Sequence, residues 1–306
     1  MDFETYQQFA RETSQLAKKP DRAVLIALLG LAGESGSLLT EYKKWLRDGE
    51  GHRTFRDRMA EELGDLLWYV AEVASCLDLD LEEIAAMNVQ KVQDRWVDTD
   101  ERHTLSFTSD YYDELFPRDQ QLPRCFRVRI EELAGSNPPK IVVSRRGNPC
   151  GNALTDNSFD DDGYRFHDAF HFANAAALRW SPVARKLLGC KRRSQPRVDE
   201  VQDGGRAIVI EEGVAAYVFD YARRHDFFER VDRVDTEVLR TIKSMVSGLE
   251  VASRSTRDWE NAILSGFRVW RQMRTYRGGF LACDLDARTI RFERLRLKRG
   301  QKAQDA

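Results

Sequence analysis

Glu61-Glu62-Leu63-Gly64-Asp65-Leu66-Leu67-Trp68-Tyr69-Val70 decides how this chain is read. Its apolar positions continue as Val73, Ala74 and Leu77, and they recur at spacings of three and four, the period of one helix face. Glu62 and Asp65 stand three apart, so they lie one turn above each other. They fall inside the apolar run, not on a charged face of their own. A carboxylate in such a place has to be protonated, paired or metal-bound. No Lys or Arg occurs between Ala60 and Gln90. The local sequence supplies no cation, and a bound metal ion would meet the need.

A second stretch answers it upstream. Leu25 to Leu39 is almost wholly apolar or small, apart from Glu34. Glu41 follows two turns after Glu34, on nearly the same helix face. The short polar connection from Asp48 to Arg58 predicts two antiparallel helices. Glu34 and Glu41 would then face Glu62 and Asp65, with Glu61 beside them. An all-oxygen cluster of this kind favours a hard cation, Mg²⁺ first and Mn²⁺ second.

These two stretches, followed by Asn88-Val89-Gln90-Lys91-Val92-Gln93-Asp94-Arg95-Trp96, resemble the MazG-like family of all-α nucleoside triphosphate pyrophosphohydrolases. The resemblance covers residues 1–100. That family carries Glu-x-x-Glu on one helix and Glu-x-x-Asp on the next. The second pair is intact as Glu62 and Asp65. In the first, Ser37 stands where an acid is expected, and Glu41, one turn further on, is the candidate replacement. The resemblance implies hydrolysis of a nucleoside triphosphate to the monophosphate and pyrophosphate. It implies metal ligands at Glu34, Glu62 and Asp65, assisted by Glu41 or Glu61. It places Lys43 or Lys44 near the triphosphate, and Asn88, Lys91 and Arg95 along the nucleotide pocket. It also implies a homo-oligomer, dimer or tetramer. Ser37 keeps two alternatives open: a non-catalytic nucleotide sensor, and a nucleic-acid-binding protein with a weakened hydrolase site.

Composition narrows the class. At 306 residues about two domains are expected. Hydrophobic residues make up 42%, ordinary for a globular chain. No apolar run is read as reaching the ~20 residues of a membrane helix, and the acidic start (Met1-Asp2-Phe3-Glu4) does not read as a signal peptide. Five cysteines without CxxC spacing argue against a disulfide framework or a zinc ribbon and fit a reducing cytoplasm. Residues 1–100 hold 20 acidic and 12 basic side chains; residues 101–306 hold 30 and 36. An acidic part that collects cations and a basic part that can meet a polyanion is one reading; two solvated surfaces is the other.

The fold expected is mainly α: an antiparallel four-helix bundle over 1–100, a small β-hairpin module over 101–157, and a second helical domain over 158–306. A first helix runs to Leu16, Pro20 stops it, and Asp21 caps the next. Gly33 and Gly36 inside the second helix suggest close approach by a packed helix or a phosphate. Arg124 to Ile130 alternates like a half-buried strand, with Lys140 to Ser144 as its partner. Helices follow over 166–180, 206–224, 236–251 and 258–276, then a terminal hairpin turned at 286–288. Leu297 to Ala306 reads as a frayed basic tail.

Two further features stand in the second half. His167 and His171 are four apart on one helix face, a spacing that can chelate a metal, with Asp168, Glu211 and Glu212 as further ligands. The alternative is a pair of histidines hydrogen-bonded to those carboxylates at a helix–helix contact. Arg185, Lys186, Lys191, Arg192, Arg193 and Arg197 form a basic run read as a loop. With Arg274 and Arg277 it would hold phosphates or a nucleic-acid backbone, or it is simply solvated.

Overall fold

The computed structural model describes residues 1–15, 22–96 and 111–295, with 94–96 in backbone only. Leu16, Pro20, Asp21, the side chains of Arg95 and Trp96, and the 297–306 tail lie outside the described residues. The chain divides into two compact units, Met1–Gln93 and Asp94–Ala306.

The first unit is all-helical. α1 (Phe3–Thr13) starts at Asp2, whose carboxylate accepts from the Thr5 amide at 2.9 Å, satisfying one of the donors a helix start leaves open. α2 (Ala23–Asp48) and α3 (Phe55–Cys76) pack along each other across a short connection. Gly30 sets their approach: a Cβ there would lie 2.0 Å from the Tyr69 ring. Gly33 and Gly36, expected to serve close approach, have nothing within 4 Å of that position. α4 (Leu81–Trp96) is tied to α1 by Gln7, a buried amide. Its Oε1 accepts from the Leu81 amide at 2.9 Å and its Nε2 donates to the Leu79 carbonyl at 2.9 Å.

The apolar face predicted on α3 is only half-buried. Leu63, Leu67 and Leu77 are exposed, and so are Leu25, Leu29 and Leu46 on α2. The buried apolar side chains of this unit are Ala10, Ala27, Ala71, Ala74 and Leu81. α2 also corrects the expectation about apolar length. The most apolar 18 residues within Ala23–Gly51 have a mean hydropathy of 1.7, and the helix is, by length and composition alone, long enough to cross a membrane even with Glu34 inside it.

The second unit is built on a five-stranded antiparallel sheet. Its strands are β1 (Cys125–Glu132), β2 (Ile141–Arg145), β3 (Asn148–Pro149), β4 (Gly278–Asp284) and β5 (Thr289–Glu293), in the order β3-β2-β1-β4-β5. The hairpin expected over 101–157 is present as β1–β2, but it is not an independent module. β1 also pairs with β4, from Cys125 opposite Asp284 to Glu131 opposite Gly278. Phe126, Val128 and Ile130 are buried at alternate positions of β1, and two strands alone cannot cover such a face. The terminal hairpin β4–β5 closes the sheet instead.

Among the described residues this unit also has six α-helices: α5 (Asp168–Leu178), α6 (Pro182–Leu188), α7 (Pro196–Val201), α8 (Gly205–Arg223), α9 (Thr236–Met245) and α10 (Thr256–Tyr276). α5 is buried on every side. It lies against β4, β5 and α10, and Gly266 lets α10 come close: a Cβ there would sit 3.1 Å from the Ala173 methyl. Trp180, Trp259 and Trp270 are fully buried around it. α10 opens on a capping box: Ser255 Oγ accepts from the Asp258 amide, and the Asp258 carboxylate accepts from the Ser255 amide.

Candidate functional site

α2 and α3 bring Glu34, Glu62 and Asp65 together. One carboxylate oxygen from each lies within 4.8 Å of the others. The convergence follows from sequence: Glu62 and Asp65 are one turn apart on α3, and Gly30, one turn before Glu34, lets α2 approach. Glu62 is held above the usual carboxylate range, first by partial desolvation, then by the charges of Glu34 and Asp65. Among the described residues no Lys or Arg forms an ion pair with these three. Three converging carboxylates, with no Lys or Arg paired to them among the described residues, fit the donor set of a hard divalent ion.

Glu41 does not join them. Its Oε1 is held by Lys44 and its Oε2 lies 3.0 Å from His52 Nε2. The Lys44 bond first, and the His52 bond after it, keep Glu41 below the usual carboxylate range. The cause is local: Lys44 is one turn on, and the 49–54 connection folds His52 back onto α2. Lys44, expected at the triphosphate, is thereby engaged within α2. Glu61 is exposed and pairs with Arg58 at 2.7 Å. Lys43 is exposed on α2, and Asn88 and Lys91 are exposed on α4. No described contact brings these three to the acids.

Several neighbours carried no clear signal in the sequence. Tyr6 is within electrostatic reach of Asp65; desolvation and that charge together raise its phenol pKa. Beside it opens a cleft of about 380 Å³ lined by Asp2, Phe3, Tyr6, Leu67 and Glu82. Glu72 is buried; Ser14 Oγ donates to its Oε2 at 2.5 Å, and its Oε1 has no hydrogen-bond partner among the described residues. It lies seven residues after Asp65, on the same helix face, which is the one sequence cue it had. Tyr42, Trp45 and Phe55 stack at the far end of the helix pair, with ring centroids 5.4 Å apart for Trp45 and Phe55.

In the second unit the five predicted residues do meet. His171 Nε2 lies 3.2 Å from Glu212 Oε2, and His171 Nδ1 lies 3.2 Å from Glu211 Oε1. His167 Nε2 lies 3.6 Å from the same Glu212 oxygen and 4.0 Å from Asp168 Oδ1.

The basic run at 185–197 is a loop only over 189–195: α6 ends at Leu188 and α7 begins at Pro196. Three of its cations are engaged within the fold. Arg185 is buried and donates to Asp113 at 2.6 Å. Arg192 is buried between Asp203, at 2.7 Å, and Glu250, at 2.7 Å. Lys191 pairs with Asp199 at 3.0 Å, and Arg277 with Glu132 at 3.2 Å. Arg274 lies over the Phe227 and Trp270 rings. Half of this run, Arg185, Lys191 and Arg192, is thus neutralised by acids that lie outside it in sequence, while Lys186, Arg193 and Arg197 are exposed.

Comparison with known proteins agrees with this division. The family model of the MazG nucleotide pyrophosphohydrolase domain matches residues 27–98, and that of the MazG C-terminal domain matches residues 107–296. The first match includes α2 and so places this apolar helix within the hydrolase domain. Gene 37 protein of Mycobacterium phage L5 is 44% identical over 69 residues, which span 22% of this chain and 60% of that protein. The chain therefore covers less than two thirds of that relative's length. No solved structure matches the chain.

Proposed function

This chain belongs to the MazG family, with a nucleotide pyrophosphohydrolase domain followed by a MazG C-terminal domain, and from that premise we propose that its first unit hydrolyses a nucleoside triphosphate to the monophosphate and pyrophosphate. The observation that carries this reading is the convergence of Glu34, Glu62 and Asp65. These three would hold the divalent ion, Mg²⁺ first and Mn²⁺ second. When bound, such an ion neutralises phosphate oxygens and acidifies a coordinated water.

The residues themselves divide the remaining work. A carboxylate oxygen of this set not taken up by the ion would accept the proton leaving water as it attacks the α-phosphorus. Lys43 and Lys91, both exposed, are free to swing toward the departing pyrophosphate and offset its charge. Asn88, one turn before Lys91, would contact sugar or base. We assign the unit to a homo-oligomer, dimer or tetramer, on the exposed leucines of α2 and α3. The proposed setting is the cytoplasm, in keeping with five free cysteines.

The test is pyrophosphate release from a panel of ribo- and deoxyribonucleoside triphosphates with Mg²⁺, for the parent and Glu62→Gln. Release by the parent, lost by about 100-fold or more in the variant, supports the hydrolase. A second reading, a nucleotide sensor without turnover, is favoured by Ser37 and by the engagement of Glu41 with Lys44 and His52. It predicts metal-dependent nucleotide binding without release, and turnover appearing only in Ser37→Glu.

A further inference from the structure

A second cluster, separate from the acids of the first unit, lies where the start of α5 meets α8. We propose that His167, Asp168, His171 and Glu212 form a binding site for one divalent transition-metal ion, Zn²⁺ best matched, with Glu211 as the positioning residue for His171. The inference is independent of the pyrophosphohydrolase reading.

The first argument is which ring nitrogen carries the proton. His167 Nδ1 lies 2.9 Å from the Tyr164 carbonyl oxygen. A carbonyl only accepts, so Nδ1 is the donor. In the neutral ring Nε2 is then a bare lone pair, and it faces Glu212 Oε2 at 3.6 Å and Asp168 Oδ1 at 4.0 Å. Lone pair against carboxylate oxygen is a repulsive arrangement unless a cation lies between them. Both separations are too long for a hydrogen bond. The Tyr164 ring stacks on His167 at 4.5 Å and 9°, which fixes the direction in which Nε2 points.

The second argument is convergence. His171 Nε2 lies 3.2 Å from the same Glu212 oxygen. Donor atoms of His167, Asp168 and His171 all fall within 4.8 Å of one another. Ligands about 2.1 Å from a tetrahedral ion stand roughly 3.4 Å apart. The distances here lie on either side of that value.

The third is the supporting shell. A metal-bound histidine characteristically has its other nitrogen directed at a carbonyl or carboxylate. His167 has the Tyr164 carbonyl in that role. His171 Nδ1 faces Glu211 Oε1 at 3.2 Å. Glu211 is itself pinned by Asn174 Nδ2 at 3.1 Å, Ser181 Oγ at 3.0 Å and the Val183 amide at 3.0 Å. Ion pairing accounts for His171 Nε2 with Glu212, but among the described residues His171 Nδ1 has no aligned acceptor and His167 Nε2 has none within hydrogen-bond distance. Three carboxylates also surround two histidines, and among the described residues no Lys or Arg forms an ion pair with them.

Two imidazoles select a borderline ion over Mg²⁺, in contrast to the all-oxygen cluster of the first unit. Glu212 is the ligand that reaches solvent, its side chain 40% exposed while that of His171 is 0%, so an ion can enter from its side.

The test uses the full chain stripped with EDTA and titrated with Co²⁺ in millimolar Mg²⁺, followed by visible absorption. We expect one Co²⁺ per chain with the intense bands of a four-coordinate site, displaced by Zn²⁺ and unchanged in Glu62→Gln. His167→Gln and Glu212→Gln should each weaken binding roughly 100-fold, and Glu211→Gln roughly 10-fold. Glu212 is partly exposed, so its variant reports ligation with the helix signal in circular dichroism preserved. A folded parent that takes up no Co²⁺ under these conditions overturns the proposal. So does a folded Glu212→Gln that binds as the parent does, and the cluster is then a set of histidine–carboxylate pairs.

Discussion

The two units of this chain treat polar burial in opposite ways. In the first, Gln7, Glu41 and Glu72 are buried, and the apolar side chains fully inside are four alanines and one leucine. Large apolar side chains such as Leu29 and Leu46 face outward. In the second, three tryptophans fill the centre, and Arg165, Arg185 and Arg192 are buried against acids. The second unit completes its core within one chain. The first leaves large apolar side chains exposed on α2 and α3, the helices that carry its acid cluster. The lesson is that a helix pair carrying uncompensated charge can remain open, whereas a sheet-backed core cannot.

The comparison breaks most visibly at Arg192. Its guanidinium donates to Asp203 and Glu250 and to the Tyr112 carbonyl at 3.0 Å, and both carboxylates hold its pKa above the ordinary arginine value despite burial. Arg192→Ala leaves Glu250 without its paired cation and Asp203 with Arg185 alone, 3.6 Å away. It should cost about 3–5 kcal/mol, seen in urea as early unfolding of the second unit by fluorescence of its buried tryptophans. Unfolding at the parent's midpoint would mean that this network adds nothing to the core. Gly30→Ala is next. Its new methyl meets the Tyr69 ring, so α2 and α3 must separate, at about 1–3 kcal/mol. The same change at Gly33 or Gly36 meets nothing in one chain and should stabilise the helix by up to ~1 kcal/mol. A loss instead, growing as protein concentration rises, would mean that a second chain covers that face.

How much of this was legible follows from sequence distance. Glu62 and Asp65 could be read because both the period and the missing cations lie within one helix. Glu34 could be read because it interrupts an apolar run. The pairing of Glu41 with His52 could not, since His52 comes near only after the connection turns back. The basic run was misread for the same reason: Asp113 lies 72 residues from Arg185, and Glu250 lies 58 from Arg192. A window of one sign says nothing about acids that arrive from elsewhere. The β1–β4 pairing joins strands at opposite ends of the unit, and alternation announces a strand without naming its partner. The histidine cluster was legible as a spacing. What the sequence left open, which nitrogen faces which oxygen, is set by the Tyr164 carbonyl and the fixed Glu211.

The smallest expected effect sharpens the comparison from the other side. Glu62 is raised above its ordinary value of 4.5 by desolvation and by Glu34 and Asp65. A carboxyl with a raised folded-state pKa contributes stability that is present below pH 4.5 and lost as the pH climbs through the raised value. Above that window all three acids are charged and repel. A divalent ion removes the repulsion, and it competes with the proton on Glu62. Mg²⁺ near its dissociation constant should therefore raise the first unit's melting temperature by roughly 2 °C at pH 8 and by less at pH 5. Differential scanning fluorimetry with and without Mg²⁺ at both pH values reads this directly, and Glu62→Gln should flatten the difference. An Mg²⁺ effect equal at both pH values would place the ion away from Glu62. The second unit, whose buried acids already face arginines or the histidine pair, should show no such Mg²⁺ response at either pH.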